Sequence, residues 1–303
     1  MASIKDLRKR ISTVKNTQQT TKAMKMVSAA KLRRAQEAIT TQRPYAKQLA
    51  GLIQKLAAEP QLESSSPFFS RPESAESGDR VLVLVATSDR GLCGSFNSSI
   101  IKAATKWAVE NRSRYSDVEF CYVGKRGFDF FKTKEIAKIG RYFSECGGKV
   151  SFKKAKILAD ALVADFLAGK YTEIKIIYNE FKNAVSQTVI VEDYLPLTKA
   201  KAAQVDTKVA ETEATKEYII KPSGVELLNA LIAKTFADQT YRVLLETQAG
   251  EHGARMSAME NATKNAGEMI GLLTLQYNKQ RQASITKELL EIISGTESQK
   301  ASS

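Results

Sequence analysis

Apolar residues recur three and four positions apart at both ends of the chain and in short unbroken runs between them. The ends therefore read as long helices and the middle as a sheet with helices. Ile4, Leu7, Ile11 and Val14 open a seam of the kind that pairs two helices. Continuing that register gives Gln18, Thr21, Lys25 and Ser28 before Leu32, Ala35 and Ile39 restore it. Toward the other end, Met269, Leu273, Gln276, Gln280 and Ala283 follow a similar spacing with a similar polar interruption. A self-sufficient zipper would carry leucine or isoleucine there. The pattern predicts a helical pair that draws part of its stability from surrounding proteins; an ordinary weak hairpin is the plainer alternative.

End signals bound the two helices. Ser3 is followed by Asp6 and Ser223 by Glu226, the spacing of a capping box, and Pro222 sits just before the second cap. The first helix is expected to stop at Glu59-Pro60, because proline disfavours helix in the residue before it. The second is expected to end at Ser294-Gly295, with Gly295 as its C-cap. Such helices would be roughly 80 Å and 105 Å long, and Pro44 is expected to bend the first. Paired antiparallel, the second would outrun the first by roughly 25 Å. The overhang carries Ile285, Leu289, Leu290, Ile292 and Ile293, and we expect an apolar collar around it.

The middle alternates strand and helix. Val81–Thr87 reads as a buried strand, followed by a tight Ser88-Asp-Arg-Gly-Leu-Cys-Gly94 turn and a helix over 97–110. A strand over 118–123, a turn over 124–127 and a short helix through Phe131 come next. A helix over 152–167 precedes strands over 173–178 and 187–192. This order implies a doubly wound, Rossmann-like α/β domain with a late antiparallel hairpin. It is inserted between two long terminal helices that form an antiparallel coiled coil. The expected organisation is helix over 1–59, linker over 60–78, α/β domain over 79–221 and second helix with a short tail over 222–303. Residues 198–217, almost wholly small or charged, read as a mobile insertion within that domain, and 217–222 as a possible edge strand.

Charge changes the picture of the first helix. The formal balance is +13, and residues 1–50 hold twelve Lys and Arg against Asp6 and Glu37. A basic helix of this kind attracts nucleic acid, an anionic membrane or an acidic protein surface, unless it is simply a solvated face. No apolar run is long enough to span a bilayer, and the N-terminus carries no secretory apolar core. Cys93, Cys121 and Cys146 are odd in number and lack a CxxC spacing, so buried free thiols are expected.

Enzyme chemistry finds little support. Gly91 and Gly94 follow a strand, yet they complete neither GxGxxG nor a P-loop, and both are expected to permit a sharp turn. His252 is the only histidine, so it anchors neither a triad nor a multi-histidine metal site. No catalytic, cofactor or metal residues are assigned.

Three long stretches resemble one family. Asn16-Thr-Gln-Gln-Thr-Thr-Lys-Ala-Met-Lys-Met-Val-Ser-Ala-Ala-Lys-Leu-Arg-Arg-Ala-Gln36 is similar to the N-terminal signature of the gamma subunits of F-type ATP synthases, and Ser88–Gly94 to their central one. Glu251-His-Gly-Ala-Arg-Met-Ser-Ala-Met259 and Tyr277-Asn-Lys-Gln-Arg-Gln-Ala-Ser-Ile-Thr286 resemble their C-terminal signature. The resemblance runs through the whole chain in order.

It implies a non-catalytic rotor shaft inside a ring of three alpha and three beta subunits, with active sites on beta. The globular middle would be a foot that meets epsilon and the c-ring, and the complex would couple proton flow to ATP synthesis. No cofactor or nucleic acid is implied. Arg255, Arg281, Gln282 and Thr286 resemble residues touching a loop of beta, and Met24 and Lys25 the segment facing beta's acidic C-terminal loop. That partner would give the basic first helix a complementary surface. Tyr218 resembles a foot residue near the c-ring. Departures are Gly94-Ser95, where a glycine pair is common, and Lys221, where the family often carries an acid. The plastid regulatory insertion is not seen, and no transit peptide precedes Ser3. The first argues against thiol control of the plastid kind; the second favours a bacterial subunit, peripheral on the cytoplasmic face of the inner membrane, over a processed organellar one.

Overall fold

The computed structural model describes residues 3–57, 66–70, 72, 78–183, 186–197 and 224–301. In chain order its elements are α1 (Ile4–Ala57), β1 (Arg80–Ala86), α2 (Phe96–Asn111), β2 (Asp117–Val123), α3 (Lys125–Phe131) and β3 (Lys138–Tyr142). A short 3-10 turn (Ser144–Cys146), α4 (Phe152–Leu167), β4 (Glu173–Phe181), β5 (Gln187–Leu195) and α5 (Gly224–Ala301) complete them. The chain divides into two compact units, Ala29–Arg255 on one hand and Met1–Ser28 with Met256–Ser303 on the other.

In the Ala29–Arg255 unit five strands form one mixed sheet in the order β3-β2-β1-β4-β5. β1 runs parallel to β2 and β4, β3 is parallel to β2, and β5 returns antiparallel to β4. β1 is central because its sequence is apolar on both faces, and alternate residues point to opposite sides. Val81, Val83 and Val85 face α2, through Phe96, Ile100, Ala104 and Ala108, and α3 through Phe131. Leu82, Leu84 and Ala86 face α4, through Leu158, Leu162 and Phe166, together with Leu49 and Ile53 of α1 and Leu228, Ile232 and Phe236 of α5. The long terminal helices thus supply part of the core beside the sheet.

The expected elements of the middle are present, with α4 at its expected bounds and α2 one residue longer at each end. β3 was not anticipated. Its Lys-Ile-Gly-Arg-Tyr sequence is short, carries two cations and exposes Ile139, features that guard a sheet's free edge and blur its pattern. Cys93, Cys121 and Cys146 are free and buried, as expected.

In the other unit the two segments run side by side in opposite directions. Lys25 meets Glu260, the Thr21 and Thr263 hydroxyls meet at 2.8 Å, and Gln18 donates to the Thr263 carbonyl at 3.4 Å. Gly267 lets Gln18 approach, since a β-carbon there would lie 3.1 Å from its amide nitrogen. The expected α1 register is followed: from Ile4 to Ile39 every seam position is buried or half-buried, including polar Thr21 and Ser28. Ser3 and Asp6 close a reciprocal capping box, each side chain accepting from the other's backbone N–H at 3.2 and 3.3 Å.

Two expectations about α5 are corrected. Its inward stripe is Met259, Thr263, Ala266, Ile270, Leu273, Tyr277, Gln280 and Ser284, so only Leu273 and Gln280 of the expected seam lie on it. Met269, Gln276 and Ala283 are exposed. Two adjacent apolar stripes run along this segment, and the spacing alone fitted either phase. The helix also passes through Gly295 to Ala301, and Gly295 is not in the left-handed conformation a C-cap needs. α1 likewise runs through Pro44. Much of the expected linker at 60–78, the insertion at 198–217, the 217–222 strand, the Ser223 cap, Lys221 and Tyr218 lie outside the described residues.

Candidate functional site

Two kinds of surface stand out, one in each unit. The first is the flank of the paired segments. Met24 and Lys25 are half-buried, and Lys25 is committed within the chain to Glu260 at 2.6 Å. Beside them Met26 and Val27 are 61% and 56% exposed. On α5, Arg281, Gln282 and Thr286 are exposed, and the Thr286 hydroxyl donates to the Gln282 carbonyl one turn back. Every residue from Ile285 to Thr296 is exposed, including Leu289, Leu290, Ile292 and Ile293. Neighbouring positions carry a further apolar stripe, Met269, Leu272 and Leu275, at 52–68% exposure. Among the described residues, nothing covers the expected overhang. The seam read from the spacing takes in Met269, so the sequence pattern does not separate this exposed stripe.

The second is the Ser88–Gly94 turn in the Ala29–Arg255 unit. Ser88 sets its shape: the hydroxyl donates to the Arg90 carbonyl at 2.7 Å, and the backbone N–H donates to Asn97 Oδ1 of α2. Leu92 and Gly94 both take positive φ, 62° and 57°. Gly94 thus supplies the left-handed turn expected of it. Gly91 does not; its place is constrained by Arg126, whose guanidinium would lie 3.1 Å from a β-carbon. The Asp89 carboxylate accepts the backbone N–H groups of Lys125 and Gly148, at 3.1 and 3.0 Å.

Arg255 points into this turn. It is 8% exposed, and its Nη2 donates to the carbonyls of Gly91 at 3.1 Å and Arg90 at 3.4 Å and pairs with Glu251 at 2.7 Å. Its Nη1 lies 3.3 Å from His252 Nδ1. Burial, with Arg255 and Lys31 adding to it, pulls the His252 pKa down to about 4, so the ring is neutral near pH 7 and able to accept from the guanidinium. Burial raises the Glu251 pKa, against the pull of Arg255. These residues make a packed polar joint, in which each group is held by a partner of its own chain.

The comparisons with known proteins decide the family. The family profile described as ATP synthase matches residues 3–298. The ATP synthase gamma chain of Geobacter metallireducens is 46% identical over 98% of this chain and 99% of its own length. That of Bdellovibrio bacteriovorus is 44% identical over 99% of this chain and 100% of its own.

The chain belongs to the ATP synthase gamma chain family.

A cryo-EM structure of the central stalk and c-ring of Tetrahymena thermophila mitochondrial ATP synthase is similar at 29% identity and a TM-score of 0.58, over 80% of this chain and 99% of that one. A chain in the Euglena gracilis mitochondrial ATP synthase shares the fold at a TM-score of 0.61, over 98% of this chain and 95% of that one. A gamma chain is the non-catalytic central rotor shaft of the synthase, which gives a physical setting to helices of this length. Among the described residues, no helix is long and apolar enough to cross a membrane.

Five of the six expected contact residues lie in the paired-helix unit; the sixth, Arg255, is turned into its own turn instead. The sequence had marked Ser88–Gly94 as a family signature without a role for Asp89, and nothing had drawn attention to Gln248. Their partners, Gly148 and Lys125, are backbone groups far along the chain, which side-chain pattern does not display.

Proposed function

We propose that this gamma chain is the shaft of a bacterial, proton-translocating synthase, peripheral on the cytoplasmic face of the inner membrane. Its terminal helices act as an antiparallel coiled coil inside a ring of three alpha and three beta subunits. The Rossmann-like middle is the foot, meeting epsilon and the c-ring, with Tyr218 among its contacts. Turning the shaft presents a different flank to each beta subunit in turn, and so drives each catalytic site through binding, conversion and release.

The observation that supports this reading best is the uncovered surface of the paired segments. A seam that buries threonine and serine, beside exposed Met269, Leu272 and Leu275, suits a helix pair enclosed by other subunits. We place beta's loops against Met24 and Lys25 on α1 and against Arg281, Gln282 and Thr286 on α5. Acidic side chains on beta would complement the basic α1. Arg255 would join that set only by exchanging its internal carbonyl partners for acceptors on beta. Ile285, Leu289, Leu290, Ile292 and Ile293 form the bearing tip, held in an apolar collar of the ring.

Co-expression with alpha, beta and epsilon tests the reading. The chain is expected to co-purify in a one-to-three-to-three ratio with alpha and beta and to support ATP hydrolysis by the complex. Failure to enter that complex would overturn it.

A further inference from the structure

The signature turn and α5 are joined on one side of the helix, directly at one place and through Gly148 at another. Gln248, Glu251, His252 and Arg255 are spaced i, i+3, i+4 and i+7, so they form one stripe. At one end of the stripe Arg255 grips the Arg90 and Gly91 carbonyls, and at the other Gln248 Nε2 donates to the Gly148 carbonyl at 3.1 Å. Gly148 in turn donates its N–H to Asp89, so the second grip reaches the same turn through one intervening residue. Between them the helix backbone comes close at Gly250, where a β-carbon would lie 3.0 Å from the Phe96 ring.

The turn itself is fastened to the start of α3, which packs on the sheet through Phe131. Asp89 takes the Lys125 N–H, Ser88 takes the Arg126 N–H at its carbonyl, and Thr87 Oγ1 takes the Gly127 N–H at 2.9 Å. A helix held at one point can roll about its axis. One held at two points about 10 Å apart on the same side rolls only by breaking both.

We propose that this bracket is the torque key of the rotor: Arg255, Gln248 and Asp89 are positioning residues that prevent α5 from rolling against the sheet when the foot is turned. The planar guanidinium suits the task, since its plane fixes Nη2 beside two carbonyls and a carboxylate while Nη1 faces His252, whereas an ammonium is a flexible point charge. The proposal rests on the rotor role of the chain.

The test uses the assembled synthase with its catalytic ring fixed to a surface and a bead on the foot. The bead's angular fluctuation is recorded while nucleotide holds the rotor still. Arg255→Ala and Asp89→Asn are each expected to widen the angular variance about two-fold, with the pair together giving less than the combined effect, because both act on one bracket. Arg255→Lys is expected to fall between wild type and Arg255→Ala, and Gln248→Ala, at the other grip, to widen it as well. In Asp89→Asn and Gln248→Ala, ATP hydrolysis should stay near wild type while ATP-driven proton pumping against a steep gradient falls.

Variance unchanged in Arg255→Lys and Gln248→Ala would overturn the proposal. So would a set of variants that lose assembly while the surviving complexes fluctuate like wild type, since that is the mark of a merely structural role. Failure of the unsubstituted chain to assemble would instead defeat the rotor reading on which the proposal stands.

Discussion

The two units are built to opposite standards of closure. In Ala29–Arg255 the central strand is buried on both faces, and Phe68, Tyr194 and Phe236 pack ring against ring at 5.0–5.6 Å centroid distances. One ion pair is drawn partly inside: Arg242 holds both Glu192 oxygens at 2.9 Å and Tyr178 at 3.1 Å. In the paired-segment unit the seam buries Leu7, Met259 and Ala266 but also Thr21 and Ser28, while leucines and isoleucines stay outside. The first unit buries a continuous apolar core on both faces of its sheet. The second leaves a row of large apolar side chains exposed among the described residues, the kind of surface that marks an interaction site.

The largest expected effect is in the closed unit. Phe236→Ala removes a fully buried ring and should cost about 3–5 kcal/mol, read by urea denaturation of the full chain. Trp107, the single tryptophan, lies in the same unit and reports on it. By contrast Leu272→Ala, at 66% exposure, should leave that transition within about 0.5 kcal/mol of wild type. An equal cost for both would erase the contrast between the units.

The polar joint around Arg255 gives a pH-dependent prediction of the next size. Unfolded, His252 takes a proton near its ordinary 6.5, whereas the folded chain resists protonation until about pH 4. The unfolded state therefore binds more protons between those values, and stability falls as pH falls through the window. The raised pKa of buried Glu251 acts in the opposite sense, because that acid is protonated first in the folded state. Replacing His252 with Gln should remove the histidine's share, so the variant gains on wild type by at most about 3 kcal/mol between pH 7 and pH 4. Parallel pH profiles for the two proteins would contradict the neutral, buried imidazole.

Smaller effects sharpen the account of the polar seam. Thr21→Val alone leaves the Thr263 hydroxyl only its donation to the Met259 carbonyl, with an apolar group in place of its cross-helix partner, and should cost about 1 kcal/mol. Changing both to valine should be close to neutral, since no polar group is then stranded; a double-mutant cycle read by helix melting checks it. The Lys25–Glu260 pair is partly exposed, so Lys25→Met should change stability by less than about 1 kcal/mol, and less still at high salt. Its larger effect should fall on rotation within the complex, through loss of the charge proposed to face beta.

Legibility from sequence followed the same divide. β1 and α4 were plain because a continuous apolar run and a single clean amphipathic stripe each have one solution. The α1 register was readable through its polar stretch because Ile4 to Val14 and Leu32 to Ile39 frame it. On α5 the pattern failed, since Met269 and Ile270 lie on neighbouring stripes and so do Leu272 and Leu273. Spacing cannot say which stripe finds its partner inside the chain and which finds it outside. β3 escaped because an edge strand is protected by features that make it look like a loop. The Asp89 and Gln248 contacts escaped because they end on backbone groups, which no residue type announces.

The central claim is that the outward apolar surface of α5 is covered by other subunits. A cysteine at Leu272, Leu289 or Ile293, in a chain whose three native thiols are buried, can be challenged with a bulky maleimide before and after assembly. All three positions should react readily in the free chain and be strongly protected in the assembled synthase, with Ile293 protected throughout rotation. Equal labelling at Leu289 and Ile293 in the free chain and in the complex would contradict the account.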